Sequence, residues 1–255
     1  MRELLPIPQA LLPLKLQKLY YCGRKELLDL PKVSIVGTRN PNPYAQSFTR
    51  EIAAKIAKEG VIIVSGGALG IDIIAHKAAL PNTLMVSPSS LDIIYPKSNQ
   101  AIIERIYEEA LIISQFEPVY KPKAYSFLER NKIVINLGDF VIIPQADLKS
   151  GSFQSAKYAL KIGKKIYVPP HRIGESQGTG WLIQQGLAEV IWDIDDFIQN
   201  LYPKKAICKT QKDEILEYCK SNPFFEEAYL KFGEKIFEYE LEGKIFRKNG
   251  RIEVL

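Results

Sequence analysis

The chain has 255 residues, of which 46% are hydrophobic and 25% charged, a balance that is ordinary for a globular protein and excludes a disordered chain. Its net charge of +5 permits an anionic partner without requiring one. Residues 206–255 carry nine Lys/Arg and ten Asp/Glu, whereas residues 1–205 carry 25 and 19, so a polyanion is expected to bind the larger N-terminal part.

The first 31 residues are interrupted by prolines and contain one short apolar stretch, from Ala10 to Tyr21. We predict a helix over this stretch. Residues 1–31 are therefore expected to form a short N-terminal helical extension that covers the main domain.

After Lys32, short apolar runs alternate with amphipathic stretches of helical period. The runs are rich in β-branched residues and lack polar alternation, which is typical of strands buried on both faces of a parallel sheet. They are Val33–Val36, Val61–Val64, Thr83–Val86, Leu111–Ser114, Phe140–Ile143 and Lys165–Val168. The amphipathic stretches are residues 44–58, 71–80, 99–109, 126–137 and 152–162. We predict an α/β fold over residues 32–201, an extended Rossmann-like domain with a mainly parallel, doubly wound sheet that binds ligands at the carboxyl ends of its strands.

This alternation stops near Asp196, and residues 202–209 are predicted to be a linker. Residues 210–255 are predicted to form a small winged-helix-like domain of three helices and a hairpin. Asn249-Gly250, between two strand-like runs, is a strong hairpin signal. The expected helices span residues 211–220, 224–232 and 234–242, and the expected strands are Lys244–Arg247 and Ile252–Leu255.

Three loops of glycine and small residues fall where predicted strands end: Gly37-Thr38-Arg39, Ser65-Gly66-Gly67 and Ser150-Gly151-Ser152. Glycine lets backbone N–H groups approach an anion, and a following helix adds unpaired N–H groups and the positive end of its dipole. We expect these loops to bind phosphates along the sheet edge, although each alone is compatible with a simple tight turn. Neither GxGxxG nor GxxxxGK(S/T) occurs at the first βα turn, so no nucleotide cofactor is expected.

A second informative stretch, residues 120–132, alternates basic and aromatic residues in a loop that runs into a helix. Single-stranded nucleic acid is bound by such residues, because cations follow its backbone and exposed rings stack on its bases. In the alternative interpretation, Tyr125 and Phe127 are core residues and the lysines are solvated. The candidate binding residues are Lys121, Lys123, Phe127, Arg130, Asn131 and Lys132.

The sequence indicates no catalytic or metal site. It contains no GxSxG or HExxH motif and no paired carboxylates at useful spacing. His76, on the helix after the glycine loop, is interpreted as a packing or capping residue, and His171 has no partner visible in the sequence. Asp72 either braces the glycine loop or contacts the ligand.

Cys22, Cys208 and Cys219 form no CxxC pair and are odd in number, so no disulfide framework is expected. The N-terminus has no charged-then-apolar pattern, and no run of 18 apolar residues occurs. We therefore expect a cytoplasmic protein without a membrane partner.

Taken together, these motifs resemble those of the bacterial DNA-processing protein A (DprA/Smf) family. The resemblance covers about residues 32–192 and depends on the combination and order of the motifs. They are Ile35-Val36-Gly37-Thr38-Arg39, Val64 to Asp72 with Ala75-His76 and Ala79-Leu80, Ile94-Tyr95-Pro96, Phe127 to Lys132, Ser150-Gly151-Ser152, and Trp181-Leu182-Ile183 before Gly186. The departures are Ser114-Gln115, Pro144-Gln145-Ala146 and Pro169-Pro170, where the family usually has Ser-Glu, Val-Glu-Ala and Pro-Gly.

The resemblance implies a protein that binds and protects single-stranded DNA without sequence preference and loads the recombinase RecA onto it during natural transformation. It also implies a homodimer, with neither catalytic activity nor a cofactor. The family's positive pocket corresponds here to Arg39, the Ser65–Gly67 loop and the Arg130–Lys132 segment, with Phe127 stacking on a base. The expected DNA-binding residues are Gly37, Thr38, Arg39, Ser65, Gly66, Gly67, Lys121, Lys123, Phe127, Arg130, Asn131, Lys132, Ser150, Gly151 and Ser152.

Three other interpretations stay open. Nucleoside-monophosphate phosphoribohydrolases share a similar core, but the glutamate of their Pro-Gly-Gly-x-Gly-Thr-x-x-Glu pattern is absent from residues 144–154 here. A nucleotide sensor would use the same loops without chemistry. A transcription factor would use the winged helix, whose low basicity is unfavourable for that role and favours a protein contact instead.

Overall fold

The computed structural model of this chain describes residues 2–3, 7–203 and 213–254. The chain divides into two compact units, Met1–Tyr202 and Pro203–Leu255. Most of the predicted linker, residues 204–209, lies outside the described residues, as do residues 211–212 at the start of the first helix expected in the second unit.

The first unit is built on a single mixed sheet. Its strands are β1 (Arg2–Glu3), β2 (Tyr20–Gly23), β3 (Lys32–Ile35), β4 (Ile62–Ser65), β5 (Thr83–Val86), β6 (Leu111–Ser114), β7 (Val141–Ile142), β8 (Ile166–Val168) and β9 (Glu189–Val190). Their order is β1-β2-β6-β5-β4-β3-β7-β8-β9. Strands β3 to β9 pair in parallel, and β1 and β2 add antiparallel pairings at one edge. The mainly parallel α/β sheet predicted from the sequence is confirmed.

The absence of polar alternation in the strands follows from burial on both faces. All four residues of β4 are buried. Ile63 belongs to the core on one face of the sheet, whereas Ile62 and Val64 belong to the core on the other. Because helices cover both faces, neither set of side chains meets water.

The helices of the first unit form two layers. They are α1 (Pro43–Lys58), α2 (Ile71–Ala79), α3 (Gln100–Glu109), α4 (Ala124–Leu137), α5 (Gly151–Lys161), α6 (Gln177–Gln184) and α7 (Ile194–Leu201). Helices α1, α2 and α7 contribute to one core, and α3 to α6 contribute to the other. Helix α1 starts at the sheet edge because the Asn42 side chain accepts the Ala45 N–H at 2.7 Å and Pro43 suits its first turn.

The predicted helix from Ala10 to Tyr21 is wrong in its second half. A short 3-10 helix covers Gln9–Leu14 and contains Pro13, and Lys15 then takes a left-handed conformation with φ 52°. The tyrosines that follow form β2, which pairs antiparallel with β6. Residues 20–23 therefore form a strand of the sheet instead of extending a helix, in agreement with the strand preference of Tyr20 and Tyr21.

The second unit contains α8 (Glu214–Cys219), α9 (Phe225–Phe232), α10 (Lys235–Leu241) and a hairpin of β10 (Ile245–Lys248) and β11 (Arg251–Val254). The turn residues Asn249 and Gly250 have φ of 50° and 76°, as the Asn-Gly signal predicts. The apolar core includes Ile215, Ala228 and Ile252. That this unit is a winged helix stays a prediction. Across both units, no helix in the described part of the chain is long and apolar enough to cross a membrane.

Candidate nucleic-acid interface

The carboxyl edge of the sheet opens into a cavity of about 560 Å³, which we call the edge groove. It lies between the β3–α1 and β4–α2 loops and the first turns of α4 and α5, and its volume suits a small ligand or part of a larger one. The structure brings together nine of the fifteen predicted residues along it: Gly37, Thr38, Arg39, Phe127, Arg130, Asn131, Ser150, Gly151 and Ser152. A smaller cavity beside it is lined by Gly66 and Tyr95 together with Arg39, Phe127 and Arg130.

Arg39 and Phe127 line both cavities and, together with Tyr95 of the smaller cavity, form what we call the wall of the groove. The Arg39 guanidinium carbon lies 5.5 Å from the centroid of the Phe127 ring. Arg39 is exposed and has no ion-pair partner among the residues that the structure describes, so its donors are available to an anion. A cation held over a ring in this way keeps its orientation while it stays in contact with water.

Tyr95 was not among the residues predicted to bind. Its ring lies 5.7 Å from that of Phe127 at an interplanar angle of 60°, and it is 38% exposed. Phe127 is half-buried and lines both cavities. Tyr95 belongs to the Ile94-Tyr95-Pro96 motif of the resemblance, but only the fold brings its ring to Phe127.

What we call the floor consists of Asp72 and Arg130, which line the groove, and of the Ser65-Gly66-Gly67 loop, whose Gly66 carbonyl accepts a hydrogen bond from Arg130. Arg130 is only 3% exposed, and its guanidinium donates hydrogen bonds to the carbonyls of Gly66 and, at 3.2 Å, Val86. Its Nε donates to the Asn131 side chain at 2.9 Å. Burial lowers the pKa of Arg130, against the attraction of Asp72. Most donors of this arginine are therefore committed to holding the floor.

The glycines of the floor are needed for this buried arginine. A Cβ on Gly66 would overlap the Arg130 guanidinium, and a Cβ on Gly67, whose φ is 72°, would meet Met85. The predicted reason for Gly66 was a close approach of phosphate to the backbone. In the structure the group that approaches Gly66 closely is a side chain of the protein itself. The sequence pattern alone does not distinguish these two reasons for a glycine.

Asp72 braces the β4–α2 loop. Its carboxylate is buried and accepts hydrogen bonds from backbone N–H groups, including that of Ala68 at 3.4 Å. Burial raises the pKa of Asp72, opposed by Arg130 and by these backbone donors. Of the two interpretations left open by the sequence, bracing is the one that these hydrogen bonds support.

The serines of the predicted site have different environments. Ser65 is fully buried and donates to the Ile35 carbonyl at 2.6 Å, so its hydroxyl does not face the groove. Ser150 caps α5 by accepting the Phe153 N–H at 3.1 Å. Gly151 and Ser152 form the first turn of this helix, which has no acidic residue there. That turn offers backbone donors to an anion.

The predicted lysines lie outside the edge groove. Lys121 and Lys123 are exposed on the loop before α4, and Lys132 pairs with Glu129 at 2.7 Å. Tyr125 is 53% exposed and bonds to Tyr120 through its hydroxyl, so the alternative that it is a core residue is wrong.

His76 is a packing residue, as interpreted from the sequence. Its Nδ1 lies 2.7 Å from the Thr83 hydroxyl, and Thr83 in turn donates to the Ile63 carbonyl. Burial lowers the pKa of His76 to about 3, with a further contribution from Arg130. No group of three His, Cys, Asp or Glu side chains that could hold a metal ion occurs among the described residues.

The sequence profile of the family described as DNA recombination-mediator protein A matches residues 8–202. The chain belongs to this family, and its resemblance to DprA/Smf proteins is confirmed.

Individual relatives agree with this assignment. The chain is 35% identical over 207 residues to Protein Smf of Synechocystis, covering 78% of this chain and 52% of that protein. It is similar to the structure of DNA processing protein A from Helicobacter pylori, whose single-stranded DNA binding mode has been described, with 50% identity, a TM-score of 0.78, and 79% and 95% of the two chains covered. For the same protein from Streptococcus pneumoniae the identity is 32%, the TM-score 0.70 and the coverage 75% and 70%. The chain thus spans about half the length of the Synechocystis relative.

Proposed function

We propose that this chain binds single-stranded DNA, without sequence preference, in the edge groove. The observation that carries the proposal is the wall, where the exposed guanidinium of Arg39 and the rings of Phe127 and Tyr95 lie side by side at the carboxyl edge of the sheet. A cation beside exposed rings provides both the phosphate contact and the stacking surface that single strands need. The DNA binding described for the Helicobacter pylori relative supports the same assignment.

The phosphates would follow one side of the groove. The first turn of α5 offers the N–H groups near Gly151 and Ser152, and the β3–α1 loop offers Arg39. The predicted contacts by Ser65 and Arg130 contribute indirectly in this proposal, because their polar groups are engaged within the protein. Lys121 and Lys123 would meet a strand that continues beyond the groove, as exposed cations on its approach.

The residues of the groove support a binding role without catalysis. Its acidic lining residue, Asp72, is buried and accepts hydrogen bonds from the backbone. A carboxylate acting on a ribosyl bond must reach the substrate. The absence of the phosphoribohydrolase glutamate from residues 144–154 agrees with this.

The finer functions rest on the family. We propose that the chain mediates recombination by loading RecA onto the bound strand during natural transformation, and that it does so as a homodimer. Support comes from the description of the family as a recombination mediator and from curated relatives named DNA processing protein DprA.

The proposal is tested by fluorescence anisotropy with labelled oligo-dT and a matched duplex at two salt concentrations. We expect tight, salt-sensitive binding to the single strand and weak binding to the duplex, since stacking needs unpaired bases. Equal binding of both, or no binding of oligo-dT at low salt, would contradict the proposal.

A further inference from the structure

A second cavity, of about 600 Å³, lies between the first turn of α1 and the loop that follows β8. We call it the Tyr44 cavity. Because α1 follows β3, and β3, β7 and β8 are parallel neighbours, this cavity lies at the same carboxyl edge of the sheet as the edge groove. The two share no lining residue, so the Tyr44 cavity is a separate feature of that edge.

An exposed ring and an exposed cation both line this cavity, the combination that also forms the wall. Tyr44 is 44% exposed, and its ring meets the His171 ring edge to face, with centroids 5.4 Å apart. The His171 ring is itself held by the Pro144 carbonyl oxygen, 2.7 Å from its Nε2. The Tyr44 ring therefore has a fixed neighbour and an accessible surface, which lowers the entropy cost of stacking. Arg172 is exposed and has no ion-pair partner in the part of the chain that the structure describes.

Glu175 decides which part of a nucleotide the cavity can accept. Burial, and then the charge of the Glu175 carboxylate, raise the pKa of Tyr44, in agreement with their positions around one space. A carboxylate at this position repels a phosphate. A neutral base is therefore expected against Tyr44, with the phosphate held on the solvent side by Arg172. One ring and one cation beside an opposing charge make a weak site, which needs a further contact to hold a strand.

Gln145 fixes the distance between the edge groove and the Tyr44 cavity. Its backbone carbonyl accepts the Thr38 N–H at 2.9 Å, and its side-chain oxygen accepts the Asn42 N–H at 2.9 Å. Thr38 lines the groove and Asn42 lines the cavity. The four residues from one to the other span at most about 14 Å, which a few nucleotides of an extended strand can cover.

The side chain of Gln145 also joins the two walls of the Tyr44 cavity. While its oxygen bonds to Asn42 at the start of α1, its amide nitrogen donates to the Glu175 carbonyl in the loop after β8, at 3.3 Å. Only an amide can accept and donate in this way, and it adds no negative charge between the two sites. The loops therefore provide a rigid path along the edge that does not repel phosphates at this point.

We propose that the Tyr44 cavity is a second contact for the strand that occupies the edge groove, in which one base stacks on Tyr44 and an adjacent phosphate contacts Arg172. The proposal rests on the proposed function and extends the bound strand along the sheet edge. Stacking and phosphate contacts carry no base preference, in agreement with binding of any sequence. A strand anchored in the groove reaches the cavity at a high effective concentration, so this weak contact adds affinity only for strands that are long enough to reach it.

The test measures anisotropy for a series of labelled oligo-dT from about 2 to about 16 nucleotides, which brackets the usual site sizes of domains that bind single strands. Tyr44→Ala is expected to bind the shortest strands like the wild type and the longest about tenfold more weakly, the effect of one lost stacking contact. Arg172→Ala is expected to reduce the salt slope by about 0.7 for the longest strands alone. Phe127→Ala, in contrast, should weaken binding at every length, because every strand uses the groove.

Matched controls separate the contacts from general effects of substitution. Tyr44→Phe keeps the ring and should bind every length like the wild type. Tyr125→Ala and Arg50→Ala remove an exposed ring and an exposed cation that line neither the groove nor the Tyr44 cavity, and both should also match the wild type. Arg172 is exposed, so its substitution tests the cavity even if Tyr44→Ala disturbs the packing of His171.

The outcomes separate the cavity from the groove. Wild-type affinity of Tyr44→Ala and an unchanged salt slope of Arg172→Ala for the longest strands would overturn the second contact and leave the proposed function intact. Weakening of equal size at every length in both variants would also overturn it, because the effect would then not depend on the reach of the strand. Failure of the wild type to bind oligo-dT of any length would contradict the proposed function, and the second contact with it.

Discussion

Two arginines reach the edge groove, and their surroundings differ sharply. In the floor, Arg130 is 3% exposed, and its guanidinium is bonded to the carbonyls of Gly66 and Val86. In the wall, Arg39 is exposed and lies over the ring of Phe127. A family motif therefore mixes residues that build the site with residues that are free to bind. Substitutions in the floor should change stability first, and substitutions in the wall should change DNA binding alone.

The largest expected effect comes from the floor. Arg130→Ala would leave the buried carbonyls of Gly66 and Val86 without their donor and would remove the cation that attracts the Asp72 carboxylate. Leaving a buried polar group without its hydrogen-bond partner costs about 1–3 kcal/mol of the free energy of unfolding for each group. Urea denaturation measures this loss, and Lys132→Ala, at a half-exposed ion pair, should change stability by less than about 1 kcal/mol. A loss of similar size in both variants would contradict the role assigned to Arg130.

The next effect concerns stacking in the wall. Phe127→Ala should weaken oligo-dT binding by about 1–3 kcal/mol, because one base loses its aromatic partner. The slope of binding against salt should stay constant, since a ring releases no counterions. Tyr125→Ala is the matched control, because Tyr125 is exposed on the same helix but outside the groove. If Tyr125→Ala has the larger effect, the stacking surface lies elsewhere.

A smaller effect is expected for Arg39, the exposed cation of the wall. Arg39→Ala should weaken oligo-dT binding about tenfold at low salt and reduce the salt slope by about 0.7, the contribution of one phosphate on a single strand. Titrations at several salt concentrations provide the slope. Arg50→Ala, which removes an exposed arginine of α1 outside the groove, should preserve it. An unchanged slope in Arg39→Ala would show that this guanidinium contacts no phosphate.

The smallest effect depends on pH. The folded state holds the pKa of His76 at about 3, whereas the unfolded chain should have a value of about 6.5. This depressed pKa means that the unfolded state binds more protons, so the contribution of His76 is complete above pH 6.5 and is lost as the pH falls towards 3. Between pH 7 and 5.5 the wild type should lose about 1 kcal/mol more of its free energy of unfolding than His76→Gln. Parallel losses in the two proteins would contradict a neutral, buried His76.

The sheet could be predicted because strands that are buried on both faces consist mostly of apolar residues, which the sequence shows directly. The runs Thr83–Val86 and Leu111–Ser114 are β5 and β6 without adjustment. Strand β2 could not be predicted in the same way, since it is held by pairing with β6, about 90 residues away. The short apolar stretch from Ala10 to Tyr21 could be interpreted as a helix because its sequence alone does not show the pairing of β2 with β6.

The site shows the same limit. Sequence order indicated that Arg39, Phe127 and the α5 loop meet at one edge, because parallel strands bring their carboxyl ends together. It could not indicate that Ser65 points into the sheet or that Tyr95 joins Phe127. His171 had no visible partner in sequence, and only the fold shows its contact with the Pro144 carbonyl, 2.7 Å from its Nε2. Side-chain direction and long-range contacts are properties of packing, which periodicity does not encode.

The central claim is that the wall of the edge groove contacts the bases of a single strand. The most direct measurement is photo-crosslinking of an oligo-dT that contains 5-iodouracil, followed by mass spectrometry of the crosslinked peptides. We expect the major adducts on Phe127 or Tyr95, and their loss in the Phe127→Ala, Tyr95→Ala double variant. Adducts confined to residues 213–254, or adducts on the first unit that persist in the double variant, would contradict the account.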